Sequence, residues 1–187
     1  MQPVLLIPLV VFGLLAALFA LVLRRAGQML SRTRDAETFR RSMVELGRKI
    51  DASMALVIEA IDGVRRRRMG AEAIADHLSS ALEAMKGYDS EVRGLRPPAS
   101  AAGARDRVVA ELERAARALE MVEHGCAILM SARIGGRELE AQTAIKRGYL
   151  NLLHAREAIL QAGTEAVAFR PEEENRWLTG RRACARR

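Results

Sequence analysis

Residues 39–64, FRRSMVELGRKIDASMALVIEAIDGV, decide the fold class. Apolar side chains recur at Phe39, Met43, Leu46, Ile50, Val57, Ala60 and Val64, with Ser53 at the remaining position. The spacing alternates four and three, which is the a/d seam of a helix, whereas a strand would repeat every second residue. Met54, Ile58 and Ile61 widen the seam, as a helix with more than one neighbour requires. The pattern predicts a first helix over residues 33–68, closed by Gly70 as a left-handed C-terminal residue.

Toward the C-terminus the pattern repeats. A second seam reads Ile74, Leu78, Ala81, Met85, Tyr88, Val92 and Leu95, and Pro97-Pro98 ends it. A third reads Val108, Leu112, Ala115, Leu119, Val122, Cys126 and Leu129, stopping before Gly135-Gly136. A fourth is less regular: Leu139, Ile145, Tyr149, Leu152, Leu153, Ile159, Leu160 and Val167, closed by Pro171. An all-α domain over residues 26–169 follows, with helices at 33–68, 71–94, 102–133 and 137–169. Short breaks between amphipathic helices predict an antiparallel up-down four-helix bundle. The same seams would serve a parallel coiled coil, but the Gly and Pro breaks favour folding back. Homo-oligomerisation through a further helix face stays open.

Toward the N-terminus the period is lost. Residues 3–23 carry no charge, and Leu, Val, Ile and Phe make up 15 of the 21. As a helix they would span about 31 Å, close to the hydrocarbon thickness of a bilayer. A cleaved signal peptide needs a basic leader and small residues before the cut. Here only Met1 and Gln2 precede the run, and Leu21-Val22-Leu23-Arg24-Arg25 offers no such site. Residues 1–25 therefore read as a single transmembrane anchor. No Lys or Arg precedes it, and Arg24, Arg25, Arg32, Arg34, Arg40 and Arg41 follow. The positive-inside rule then puts the N-terminus outside and the bundle in the cytoplasm.

Residues 95–112 carry Leu95-Arg96-Pro97-Pro98, then small residues, then Arg107-Val108-Val109 and Leu112. This resembles a connection found in bacterial helical proteins, many of them extracytoplasmic. The resemblance implies no activity, but it supplies the alternative of a bundle on the extracytoplasmic side.

Composition agrees with helix: 50% hydrophobic, 28% charged and only 4% aromatic. That excludes a disordered chain and disfavours a β-sandwich. The net charge of +7 is unevenly placed. Residues 24–41 net +4, residues 170–187 net +3, and residues 42–169 balance. An up-down bundle returns its fourth helix to the side where the first began. The basic tail, residues 170–187, would then join the first basic segment near the membrane. Arg24, Arg25, Arg181, Arg182, Arg186, Arg187 and Trp177 are accordingly the candidates for contact with anionic lipid headgroups. Arg65, Arg66, Arg67 and Arg68 lie at the opposite end, about 50 Å along the helix from residue 33. They read either as cations complementing a helix C-terminus or as a docking patch for an acidic partner. Nucleic acid is disfavoured, because no aromatics interleave the basic residues and no recognition motif is present.

Catalytic motifs are missing from the sequence: it has no P-loop, G-x-S-x-G or H-E-x-x-H. A di-iron bundle needs Glu-x-x-His pairs, and Ile74, Met121 and Asn151 stand three residues before His77, His124 and His154. Glu120 and His124 share a face as a local pair. Cys126 falls on a core seam, while Cys184 stands among arginines that should lower its thiol pKa. No catalytic, cofactor or metal residues are assigned. The expectation is a membrane-anchored, non-enzymatic scaffold, adaptor or assembly component with a protein partner. The alternative is a ligand-sensing bundle, marked by a pocket where polar groups converge between helices. A metal-binding helical protein is a third reading.

Overall fold

A computed structural model describes residues 6–131 and 136–168; the side chains of residues 6–11, 26 and 28–32 are not described. The described residues are all-α, with no strand. Four α-helices follow in order: α1 (Leu6–Arg65), α2 (Ala75–Gly94), α3 (Ala102–Met130) and α4 (Glu138–Ala168). Single 3₁₀ turns at Glu72–Ile74 and Ala99–Ala101 lead into α2 and α3.

The first helix differs from expectation at both ends. No break separates the apolar N-terminal run from the seam that begins at Phe39; α1 is one helix of 60 residues, about 90 Å long. Residues 24–38, RRAGQMLSRTRDAET, explain the continuity. They contain no proline and mostly good helix formers, so nothing stops propagation. At its other end α1 stops at Arg65 rather than residue 68. The left-handed residue is Arg67, at φ 56°, not Gly70. Arg67 donates its backbone N–H to the Val64 carbonyl at 2.9 Å, and Arg68 donates to Gly63 at 2.8 Å. These two bonds form a Schellman closure, which satisfies carbonyls the helix end would otherwise leave unpaired. Glycine is the usual residue there, since a Cβ in this conformation is strained.

The four helices pack cyclically: α1 against α2 and α4, and α3 against α2 and α4. Side-chain pairs fix directions. Asp51 of α1 meets Arg156 of α4, while Arg67, just past α1, meets Glu138 at the start of α4. On α3 and α4, Gly125 lies against Ile145 and Gly148 against Val122. Arg107 pairs with Glu165 further along. Both α1 and α3 therefore run antiparallel to α4.

The core follows the seams. Phe39, Met43, Leu46, Ile50, Met54, Val57, Ile58, Ile61 and Val64 are buried on α1, and Leu112, Leu119 and Val122 on α3. Ser53 sits on the α1 seam without loss, because its hydroxyl shares a 2.9 Å hydrogen bond with Tyr88 Oη of α2. On α4 the expected seam is partly wrong. Leu139 is 76% exposed and Leu160 is 42% exposed. The buried positions are Ala141, Ile145, Gly148, Leu152, Ala155, Ile159, Ala162 and Ala166, a regular four-three alternation. Alanine and glycine fill more than half of it and bring α4 close against α3. A Cβ added at Gly148 would stand 2.5 Å from Val122 Cγ2 and 2.7 Å from the Ala118 carbonyl oxygen.

The apolar N-terminal part of α1 has no cover. Phe12, Leu14, Leu15, Leu18, Phe19, Leu21, Val22 and Leu23 are each more than half exposed. Among the described residues, no helix is long and apolar enough to cross a membrane. Residues 12–23, whose side chains are described, would cover about 18 Å, against roughly 30 Å of hydrocarbon. The transmembrane helix expected from the sequence is thus not supported by the described residues; the side chains of residues 3–11 lie outside them.

Candidate functional site

The end of the molecule where α1 stops and α4 starts carries the densest constellation of polar side chains. Its centre is Asp62, one turn before the end of α1. Arg65 Nη1 meets Asp62 Oδ1 at 3.1 Å, and Arg66 Nε meets Oδ2 at 2.7 Å. Arg68 Nη2 reaches the same Oδ2 at 3.1 Å, because the Schellman turn folds it back over the helix. Arg67 points the other way and donates to Glu138 Oε1 at 2.8 Å. Gln142 Nε2 donates to that same oxygen at 2.8 Å. The Arg65 guanidinium also lies 4.3 Å from the Tyr149 ring centroid, a cation–π contact that holds it in place.

All four arginines expected to form a docking patch are therefore drawn into contacts within the chain. They close α1 and tie it to α4. Three of the four ion pairs share the Asp62 carboxylate, which is only 14% exposed, whereas Arg67–Glu138 is exposed at both partners and contributes little, about 0–1 kcal/mol. Three of the arginines, Arg65, Arg67 and Arg68, border a cavity of about 520 Å³. Val64, Ala71, Leu129 and Ile145 give it an apolar floor. Arg65, Arg67, Arg68 and Lys146 line it, with Glu138 as the one carboxylate among the described lining residues. The sequence reading finds the arginines but misses Lys146, Glu138 and Gln142. No local signal marks those three; only the antiparallel register of α1 and α4 brings them there.

The other basic group divides. Arg24 and Arg25 are exposed on α1, at the end of the apolar run. Arg181, Arg182, Arg186, Arg187, Trp177 and Cys184 lie outside the described residues. The last described turn of α4 does come back to α1: Val167 lines a cavity with Glu37, Arg40, Arg41 and Arg48. A further cavity, about 680 Å³, lies between Asp35, Thr38 and Phe39 of α1 and the Arg96-Pro97-Pro98 connection.

Chemistry elsewhere is sparse. Among the described residues no group of three or more His, Cys, Asp or Glu side chains is placed to hold a metal ion. His77, Glu120 and His124 are exposed. Cys126 is buried on α3, and desolvation, aided by the Glu123 charge, pushes its thiol pKa up. The thiol is therefore held protonated and unreactive. At the start of α4, the Arg137 guanidinium hydrogen-bonds Glu140 and holds its carboxyl below the usual range. Both groups are exposed, and the pair stands at the start of α4. No protein-family model matches the chain, and neither the curated proteins nor the solved structures provide a match.

Proposed function

We propose that the chain is a single-pass, membrane-anchored helical protein whose antiparallel four-helix bundle works at the cytoplasmic face as a non-enzymatic scaffold, adaptor or assembly component. The observation that carries this reading is the bare apolar stretch of α1. Moving a large apolar side chain out of water is worth about 1.5–3 kcal/mol. The set from Phe12 to Leu23, each 56–74% exposed, therefore represents roughly 8–15 kcal/mol, comparable with the whole stability of a domain. Such a surface calls for an apolar environment, and the uncharged residues from Pro3 onward extend the run to membrane length in the sequence. The cyclic packing of α1 to α4 supports the bundle.

Orientation rests on charge. Arg24 and Arg25 follow the apolar run, and α4 returns beside Arg40 and Arg41 before the tail begins. In sequence the tail that follows carries Arg181, Arg182, Arg186, Arg187 and Trp177, residue types suited to such a basic, interfacial end. Opposed to anionic headgroups, each basic residue contributes about 1 kcal/mol. A reporter fused after Arg187 tests the arrangement. Activity on the cytoplasmic side is the expected result, and export of the reporter would reverse the topology and favour an extracytoplasmic bundle.

A ligand-sensing bundle is a second reading, favoured by the cavity bordered by Arg65, Arg67, Arg68 and Lys146. Polar groups from separate helices converge there over an apolar floor, which is the general form of a small-molecule site.

A further inference from the structure

We propose that this cavity binds a small organic phosphate: a phosphate head on a compact apolar body. The inference develops the ligand-sensing reading; the site itself does not depend on the anchor, whereas the soluble source of its ligand rests on the membrane-anchored reading. Its volume, about 520 Å³, falls in the range of about 300–1,000 Å³ found for small-molecule pockets. The floor is apolar, with Val64 and Ile145 buried beneath it. Among the described residues the wall sets four cations against one carboxylate. Counting Asp62 behind the wall and Glu72, whose carboxylate lies against Gly70 at the rim, still leaves one positive charge in excess.

The cations differ in how they are committed. Glu138 holds Arg67 and Gln142 through one oxygen, so that corner already carries an anion. Arg65 and Arg68 each meet Asp62 through a single nitrogen. A guanidinium has five N–H donors, so both keep donors for a second acceptor. Lys146 pairs with nothing among the described residues, although it lines the cavity. A phosphate accepting from Arg65, Arg68 and Lys146 would gain charge-assisted bonds of the strong class. It would also relieve the crowding of like charge. Arg65 is pre-positioned by Tyr149 and Arg68 by the Schellman turn, which lowers the ordering cost of binding. The carrier must be free in solution, because residues 24 and 65 of α1 are separated by about 60 Å of helix. A headgroup in the anchoring membrane cannot reach the site when α1 stands upright.

The test uses the full chain in nanodiscs of zwitterionic lipid, titrated calorimetrically with phenyl phosphate, inorganic phosphate and phenol. Saturable binding of one phenyl phosphate per chain is expected, at least about tenfold tighter than either fragment, since both halves of the site contribute. Lys146→Glu and Arg68→Gln should each weaken it by about tenfold or more, while Arg114→Gln on α3 should leave it unchanged. Lys146 has no partner to lose among the described residues, so its variant separates ligand binding from folding; circular dichroism checks that helix content is kept. Anionic lipid in the nanodiscs should not compete. Unsaturable binding, or wild-type affinity in Lys146→Glu, would overturn the site. Competition by anionic lipid would overturn the soluble source of the phosphate.

Discussion

At Gly148 two effects oppose each other, and their magnitudes decide the outcome. Replacing a mid-helix glycine by alanine gains about 1 kcal/mol from backbone propensity. A Cβ there would stand 2.7 Å from the Ala118 carbonyl oxygen, which belongs to a helix and cannot turn aside. Overpacking of this kind costs about 1–3 kcal/mol, so Gly148→Ala should destabilise the protein. At Gly87, in α2, an added Cβ would meet open space, with no neighbouring atom within 4 Å, and Gly87→Ala should stabilise by about 0.5–1 kcal/mol. Denaturant titration followed by circular dichroism distinguishes them; equal gains at both sites would mean that α3 and α4 do not approach closely. Cys126 gives a second test. Its thiol pKa is raised by burial, so folding favours the protonated form. That contribution is complete below the ordinary thiol pKa and is lost as pH rises from there through the raised one. In a Cys184→Ser background, iodoacetamide should modify the native protein far more slowly than the unfolded one, and stability should decline in alkaline solution. Equal modification rates would place Cys126 at the surface.

The helices show which parts of the fold are legible in the sequence. Seams made of bulky residues on α1, α2 and α3 correspond to the buried faces, because Leu, Ile, Met and Val at four-three spacing have one favourable place to go. The α4 seam escapes such a reading for a definite reason. Its buried face alternates Ala or Gly with Ile or Leu, and small residues carry little signal even though they allow the closest packing. Leu139 and Leu160 enter the expected core only by their size. Leu112→Ala and Leu119→Ala should each cost about 2–5 kcal/mol, the cost of a buried cavity. Leu139→Ala should cost under about 0.5 kcal/mol, as an exposed position does. A large loss at Leu139 would restore the bulky seam and contradict the small-residue one. The end of α1 departs from expectation for a similar reason. Gly70 is the better left-handed residue on intrinsic grounds, but Asp62 gathers the arginines and the turn closes at Arg67. Half of the candidate cavity is visible in the sequence as a run of arginines. The other half requires knowing that α4 returns antiparallel to α1.

At the scale of the molecule, two ends of opposite character are joined by a single helix. One end is apolar, followed by the basic residues Arg24 and Arg25; about 60 Å further along α1 lies the arginine-bordered cavity. The uncovered apolar side chains of residues 12–23 are the feature that most needs an explanation, and on the proposed reading insertion in a bilayer would account for them together with the uncharged sequence before them. Isolated helices gain little from propensity alone, so an unpacked stretch of this composition should either insert or associate. Alkaline carbonate extraction of cell membranes carrying the full chain tests the account most directly, because it strips peripherally bound proteins and leaves inserted ones. The full chain should remain with the membrane fraction, and a chain lacking residues 1–25 should be released. Recovery of the full chain in the supernatant would contradict insertion and remove the basis of the membrane-anchored reading.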